Sequence, residues 1–396
     1  MPAMSALLMA LCCLAAGPDV SDIDSDESVI FFPTTGRQIE DGAAWELTIH
    51  GWIFETEIGP GTLDYFRRAL GIGSRDLAPG EREVFGKRAS VFLVDNERGE
   101  IISVRIGEKT YPLPASTPNG HFIGRVRLTA DEVERLRARG DDGQWRIPFR
   151  AVTRANDPRV FESRVLLLAP AGISVISDID DTMKVTEVRD REAMLRNTFL
   201  RPFKVVPGMA EVYRGWARES GATFHYVSAS PWQLYEPLTA FFTEEGFPAG
   251  TMHMKLFRLK DRSFFNLFGS PREHKLTVIE PMLLAFPQRR FILVGDSGEK
   301  DPEAYGELAR KFPQQIVRIF IRDVTGETVG SERYRNTFAG VPAETWRVFK
   351  EAGEIRELRL AGATSRAAPG QRDEDREGGG GGARQSPAIG GESGDE

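Results

Sequence analysis

Cysteine is almost absent from this chain. Only Cys12 and Cys13 occur in 396 residues. Both lie in the apolar run Met4 to Ala16, which has the length of a signal-peptide core and is too short to span a bilayer. Ala15-Ala16-Gly17 supplies small residues for cleavage, although no Lys or Arg precedes the run. We expect residues 1–17 to be a signal peptide, giving a secreted or periplasmic protein; an uncleaved chain is cytoplasmic. Cleavage leaves no cysteine, which excludes disulfides, Cys-ligated zinc and thiol catalysis. Histidine is scarce too. His50, His121, His225, His253 and His274 show no metal-ligand spacing. An excess of positive charge is also lacking. A net charge of −7 and a pI near 5.6 argue against a general nucleic-acid binder. No other apolar run is long enough for a transmembrane helix.

What is present divides into zones. Residues 18–28 are acidic and polar and read as a flexible linker. From 29 to 169 short apolar runs alternate with turn residues such as Asn96-Glu-Arg-Gly99. They predict strands over 29–32, 45–54, 89–95, 101–106, 121–128, 145–152 and 160–168, and a β-rich domain, sandwich-like or a barrel. Helices are expected at 63–70 and 130–138, the second capped by Thr129. From 170 to 350 the pattern becomes strand–helix alternation: strands at 173–177, 223–227, 291–295 and 316–321, helices at 209–220, 234–245, 275–285 and 302–312. This predicts an α/β domain with a parallel sheet wrapped by helices on both faces. Residues 362–396 carry the glycine run Gly378–Gly382 and an acidic end, a composition that predicts disorder.

The densest chemistry follows Ile173–Ser177. Asp178-Ile-Asp180-Asp181-Thr182 puts three carboxylates at a predicted strand end. Carboxylates repel one another and resist burial, so a divalent cation is the simplest counter-charge. Asp178 is the candidate nucleophile of a phosphoryl transfer. Asp180 is placed to protonate the leaving oxygen and then to activate water. Thr182 braces the loop or holds a phosphoryl oxygen. A second strand ends at Ser228-Ala-Ser230-Pro231. Ser228 and Ser230 are candidate phosphate donors, with Ser230-Pro231 also reading as a helix cap. A third ends at Gly295-Asp296 and continues to Asp301. Asp296 is the leading direct Mg²⁺ ligand, with Asp178, Asp180 and Asp301 completing the candidate metal set. Asp301-Pro302 reads alternatively as a helix cap. Lys275 is the candidate cation for the phosphorylated aspartate, with Lys255 as rival.

These strand-end motifs, in this order, resemble the haloacid-dehalogenase superfamily of aspartate-nucleophile phosphatases. Asp178-x-Asp180-x-Thr182, Ser228, Lys275 and Gly295-Asp296-x-x-x-x-Asp301 look like its four motifs. More closely, the runs Ser177–Thr182, Val227–Tyr235 and Gly295–Glu303 are similar to the actin-patch phosphatidate phosphatase catalytic-domain family and its bacterial relatives. The resemblance implies a Rossmann-like parallel sheet. It also implies Mg²⁺-dependent hydrolysis of phosphatidate to diacylglycerol through an aspartyl-phosphate. A soluble sugar phosphate, a nucleotide or a polynucleotide end is the alternative substrate. A non-catalytic phosphate or lipid binder is the third reading.

Met252–Lys275 interleaves Lys255, Arg258, Lys260, Arg262, Arg272 and Lys275 with Phe257, Phe264, Phe265 and Phe268. Cations beside aromatics suit peripheral contact with an anionic membrane or base stacking. Equally, the phenylalanines pack a hairpin and the charges are solvated. Fewer than fifty residues separate Thr182 from Ser228 and Ser228 from Lys275. Neither interval accommodates a full cap domain, so the expected site is open to bulky substrates.

Overall fold

The computed structural model describes residues 19–56, 59, 61–73, 77–257 and 271–358. The expected signal peptide, the expected disordered tail and most of the basic–aromatic run lie outside the described residues. Among the described residues no helix is long and apolar enough to cross a membrane.

Ten strands precede residue 170: β1 Glu27–Phe32, β2 Thr34–Ile39, β3 Ala44–Glu55, β4 Asp95–Asn96, β5 Ser103–Ile106, β6 Lys109–Pro112, β7 His121–Thr129, β8 Ala138–Arg139, β9 Trp145–Ala151 and β10 Glu162–Leu168. They form one hydrogen-bonded sheet rather than the two of a sandwich. The long β3 has β7 on one edge and β2, then β1, on the other. Period-two patterning sets its faces. Along β7, Phe122, Val126 and Leu128 are buried while Arg125 and Arg127 are exposed. The inward residues join Leu47, Ile49, Val104, Ile147 and Val165 in one core. Three helices belong to this region: α1 Thr62–Ala69, α2 Pro79–Ser90 and α3 Ala130–Leu136. Thr129 caps α3 as expected, accepting from the Glu132 amide.

Two expectations fail here. Residues 89–95 are not a strand. Phe85, Ala89 and Phe92 are all buried, and their i, i+4, i+7 spacing is a helical stripe that ends α2 and its following turn. Nor are residues 18–28 a free linker. Ile23 is buried in the sheet core. The Ser21 amide donates to the Val152 carbonyl at 2.8 Å and the Ser21 hydroxyl to the Ser103 carbonyl at 2.9 Å. One apolar side chain and two hydrogen bonds outweigh the polar composition around them.

The second sheet contains β11 Gly172–Ser177, β12 Thr223–Pro231, β13 Gly250–Lys255, β14 Arg289–Asp296, β15 Ile316–Arg322 and β16 Trp346–Phe349. Its spatial order is β13-β12-β11-β14-β15-β16 and all pairs are parallel. In chain order this is 3-2-1-4-5-6, the doubly wound arrangement. The helices are α4 Arg191–Phe199, α5 Met209–Ser220, α6 Tyr235–Glu245, α7 Pro271–Ala285, α8 Asp301–Lys311 and α9 Glu332–Thr337. On one face Tyr213 and Trp216 of α5 pack on Phe224 and Phe320. On the other, Ile279, Leu283 and Leu308 of α7 and α8 join Ile176, Leu293 and Ile319. Both faces are thus covered, which explains the near-continuous apolar strands.

The chain passes from one sheet to the other between Leu168 and Gly172. Arg289 fastens this crossing, donating to the carbonyls of Ala169, Ala171 and Ile173 at 2.8–3.1 Å. Near the opposite, carboxyl end of the parallel strands, Phe32 and His50 of the first sheet meet Trp232, with ring centroids 4.1 and 4.9 Å apart. Trp232 follows β12 directly. The β-rich sheet therefore packs against the residue that follows the strand end carrying Ser228 and Ser230.

Candidate active site

In a doubly wound sheet, ligands bind where the strand order reverses, beyond the carboxyl ends of the strands. Here that point lies between β11 and β14. Asp178 follows the last residue of β11 and Asp296 ends β14. The topology alone thus brings two segments 118 residues apart in sequence side by side.

Around them a charged cluster is closed from solvent. Lys275 on α7 is fully buried. Its Nζ lies 2.9 Å from Asp178 Oδ1 and 3.1 Å from Glu299 Oε2, and it also contacts Asp301 Oδ1. Lys275, not Lys255, supplies the cation at Asp178. Asp178 Oδ2 accepts from the Thr182 hydroxyl at 3.1 Å. Asp301 does not cap α8, whose N-cap is Lys300. Its Oδ2 accepts the Asp296 amide at 3.1 Å instead. The carboxylate of Asp301 lies against the Cα of Gly295, where an added Cβ would overlap it. That close approach explains the glycine before Asp296.

The cluster has four carboxylates, those of Asp178, Asp296, Glu299 and Asp301, around one ammonium. Burial raises the pKa of all four, and the charge of Asp301 raises it further at Asp178, Asp296 and Glu299. Burial opposes the charge on Lys275, but Asp178, Asp301 and Glu299 outweigh it and hold the ammonium protonated. One ammonium cannot balance four carboxylates, so the surplus is negative. Asp296 Oδ1 accepts the Gly298 amide at 2.6 Å, while its Oδ2 is buried and has no hydrogen-bond partner. An orphaned, buried carboxylate oxygen in a negative cluster fits a hard cation. Single oxygens of Asp178, Asp296 and Asp301 lie within 4.8 Å of one another, so these three would hold it.

Asp180 is not part of that set. Its carboxylate is buried and takes four donors. Lys184 Nζ lies 2.8 Å from Oδ1, and Thr186 Oγ1 donates to the same oxygen at 2.8 Å. Ser228 and Ser230 donate to Oδ2 at 2.9 and 3.0 Å. Burial alone would raise its pKa. Lys184, with hydrogen bonds from Thr186 and Ser228, outweighs burial and holds the carboxyl at about 2. Ser230 is therefore no helix cap. β12 continues through Pro231, and the Ser230 hydroxyl is aimed at Asp180.

Asp181 organises the loop. Its φ of +54° is left-handed, which an L-residue adopts at a cost that Asp tolerates best. The side chain accepts the amides of Thr186, Glu187 and Val188, each at 2.8 Å. Its carbonyl accepts from Arg322 at 2.7 Å. Three amides on one carboxylate fold residues 181–188 back over the strand end and bring Lys184 and Thr186 to Asp180.

The eight expected site residues thus fall into two groups. Asp178, Thr182, Lys275, Asp296 and Asp301 share one; Asp180, Ser228 and Ser230 share the other. Glu299, Lys184 and Thr186 were not anticipated. Glu299, two residues before Asp301 in an already charged turn, carried the one visible signal. His274 is half-buried beside Lys275, and its Nε2 has no hydrogen-bond partner. In the basic–aromatic run, Arg272 pairs with Glu307 on α8, Lys275 is in the site, and Phe257 packs on Phe92.

Residues 173–323 match the family described as phosphatidate phosphatase APP1, catalytic domain. Phosphatidate phosphatase APP1 of Saccharomyces cerevisiae is 36% identical over 194 residues, 48% of this chain and 31% of that protein. An uncharacterised protein of Schizosaccharomyces pombe is 33% identical over 183 residues, 45% of this chain and 30% of that protein. The matched region spans about a third of the length of these curated relatives. A chain of the solved Pnkp1/Rnl/Hen1 complex is 13% identical over 40% of this chain and 53% of its own, with a TM-score of 0.26. Residues 173–323 are thus similar in sequence to that catalytic domain.

Proposed function

We propose that this chain, with an APP1-like catalytic domain at residues 173–323, is a Mg²⁺-dependent phosphomonoester hydrolase whose substrate is phosphatidate. The observation that carries the reaction class is the cluster at the switch point: three buried carboxylates with Glu299 beside them, one ammonium and an unpartnered Asp296 oxygen. The lipid substrate rests on the sequence relationship to phosphatidate phosphatase APP1.

In this reading a carboxylate oxygen of Asp178 attacks phosphorus. The bond from phosphorus to the ester oxygen breaks, and its electron pair stays on that oxygen. Asp180, an ionised carboxylate while Ser228 and Ser230 donate to it, takes up a proton from solvent as they turn to the phosphoryl group. The ester oxygen takes that proton and leaves as the hydroxyl of diacylglycerol. A water then gives its proton to Asp180 and attacks phosphorus. Phosphate departs and the Asp178 carboxylate is restored. Lys275 balances charge at Asp178 throughout. Ser228 and Ser230 turn from Asp180 to the phosphoryl oxygens. Asp178, Asp296 and Asp301 would hold Mg²⁺, which when bound neutralises phosphoryl charge.

The test is a substrate panel on the purified protein: phosphatidate in vesicles, a sugar phosphate and a nucleotide, each with Mg²⁺ or with EDTA. The expected result is phosphate release from phosphatidate that EDTA abolishes. Strong turnover of a soluble ester beside inert phosphatidate rejects the lipid substrate. Activity untouched by EDTA rejects the metal.

A further inference from the structure

Lys184 has no part in the chemistry above, yet it is almost wholly buried, with 2% of its surface exposed. A buried ammonium without a purpose is costly. Its Nζ contacts Asp180 Oδ1 at 2.8 Å and donates to Thr186 Oγ1 at 2.5 Å. Thr186 in turn donates to the same Asp180 oxygen. Both contacts fall on Oδ1, while Ser228 and Ser230 take Oδ2. The division matters once substrate binds. If the two serines turn to a phosphoryl group, Asp180 loses both partners of Oδ2. Lys184 and Thr186 then hold the carboxylate alone, with Oδ2 free to face the leaving oxygen.

The support for Lys184 reaches the β-rich sheet. The 183–185 segment pairs with 204–206: the Val185 amide donates to the Lys204 carbonyl and the Val206 amide to the Met183 carbonyl, both at 2.8 Å. This brings the Phe203 ring to 4.9 Å from Lys184 Nζ. Arg88 of α2 lies 3.6 Å over the same ring. Arg88 also donates to the carbonyls of Thr198 and Arg201, at 2.7 and 2.8 Å, closing the carboxyl end of α4. A cation–π contact of this kind is worth about 0.5–2 kcal/mol, enough to hold one ring in place.

We infer that Lys184 is a positioning residue for Asp180, and that α2 buttresses it from the β-rich sheet through Arg88 and Phe203. The inference rests on the proposed phosphatase reaction. It assigns the amino-terminal sheet a task in the chemistry: to keep the proton-handling carboxylate in place while its serine partners are occupied elsewhere.

The experiment compares two esters with Mg²⁺ present. Short-chain phosphatidate has an alkoxide leaving group that needs a proton. 4-Nitrophenyl phosphate has one that departs without it. Lys184→Gln is expected to slow the phosphorylation step, read as release of the leaving alcohol or phenol in a single turnover. The loss is about a hundredfold on phosphatidate but within about threefold on 4-nitrophenyl phosphate, since general acid catalysis contributes on that order only where the leaving group requires a proton. The later water attack, common to both esters, is not read. KM should not move. Lys184→Arg should recover part of the loss, and Arg88→Met should show the same pattern, more weakly. Equal losses on both esters, or a raised KM with intact kcat, overturn the inference. If Lys184→Gln does not fold, Thr186→Val removes the other Oδ1 donor and carries the same comparison. If the wild type turns over only phosphatidate, the kcat and KM split on that ester decides. A wild type inert to both esters overturns the phosphatase reading itself.

Discussion

At the scale of residues, the site is a problem in buried charge. Lys275 touches three carboxylates, and removing it leaves all three without a cation. Breaking a buried pair from one side costs about 3–5 kcal/mol. Lys275→Met should therefore lower the unfolding free energy by about that amount, read by urea denaturation in EDTA, and abolish phosphate release. A variant as stable as the wild type would show that the cluster carries less charge than its geometry implies. The acids of this site were legible because Asp178 and Asp296 end apolar runs, and strand ends are where α/β sheets place ligands. Lys184 and Thr186 were not legible. They reach the site through a loop folded by Asp181, and no spacing rule describes a carboxylate collecting three amides. Asp180 was expected among the metal ligands, whereas its carboxylate takes four donors; sequence shows a carboxylate and not its partners.

At the scale of elements, periodicity served well where one face is buried and failed where two patterns overlap. Val91-Phe-Leu-Val94 reads as a strand by composition. Phe85, Ala89 and Phe92 follow helical spacing, and packing of Phe66, Phe85 and Phe92 against Phe199 settles it. The flanking strands β13 and β16 are short and poor in apolar alternation, so they escaped notice. The meeting of β3 and β7 with Trp232 makes a prediction of its own. His50 Nε2 and His121 Nδ1 lie 3.0 Å apart. Burial lowers the pKa of both. His121 falls to about 3, and His50 falls well below the ordinary histidine value, with His121 adding to the shift. The unfolded chain binds more protons below about pH 6.5. Stability from this neutral pair is complete above that pH and is lost progressively as the pH falls toward 3. Thermal melts between pH 8 and pH 5 should show a wild-type midpoint that drops below pH 6.5 more steeply than that of His50→Gln/His121→Gln. Parallel curves for the two proteins would contradict the assignment.

At the scale of the whole molecule, the described residues form one compact unit, although the chain builds it from two dissimilar sheets. The parallel sheet places Asp178 and Asp296 at its switch point. The mixed β-rich sheet closes on Trp232, after the end of β12, and, through α2, on the segment behind Lys184. Alternating strands and helices made the parallel sheet readable from sequence. The role of the β-rich sheet was not, because it consists of contacts between residues over a hundred positions apart, such as Arg88 with Arg201. The central claim is that Asp178 forms a covalent phosphoryl intermediate. Acid-quenched protein, taken during turnover of phosphatidate and analysed by peptide mass spectrometry, tests it directly. The account predicts one phosphoryl group on the peptide containing Asp178, and neither this adduct nor turnover in Asp178→Asn. A phosphoryl group on another residue, or undiminished turnover in Asp178→Asn, would contradict it.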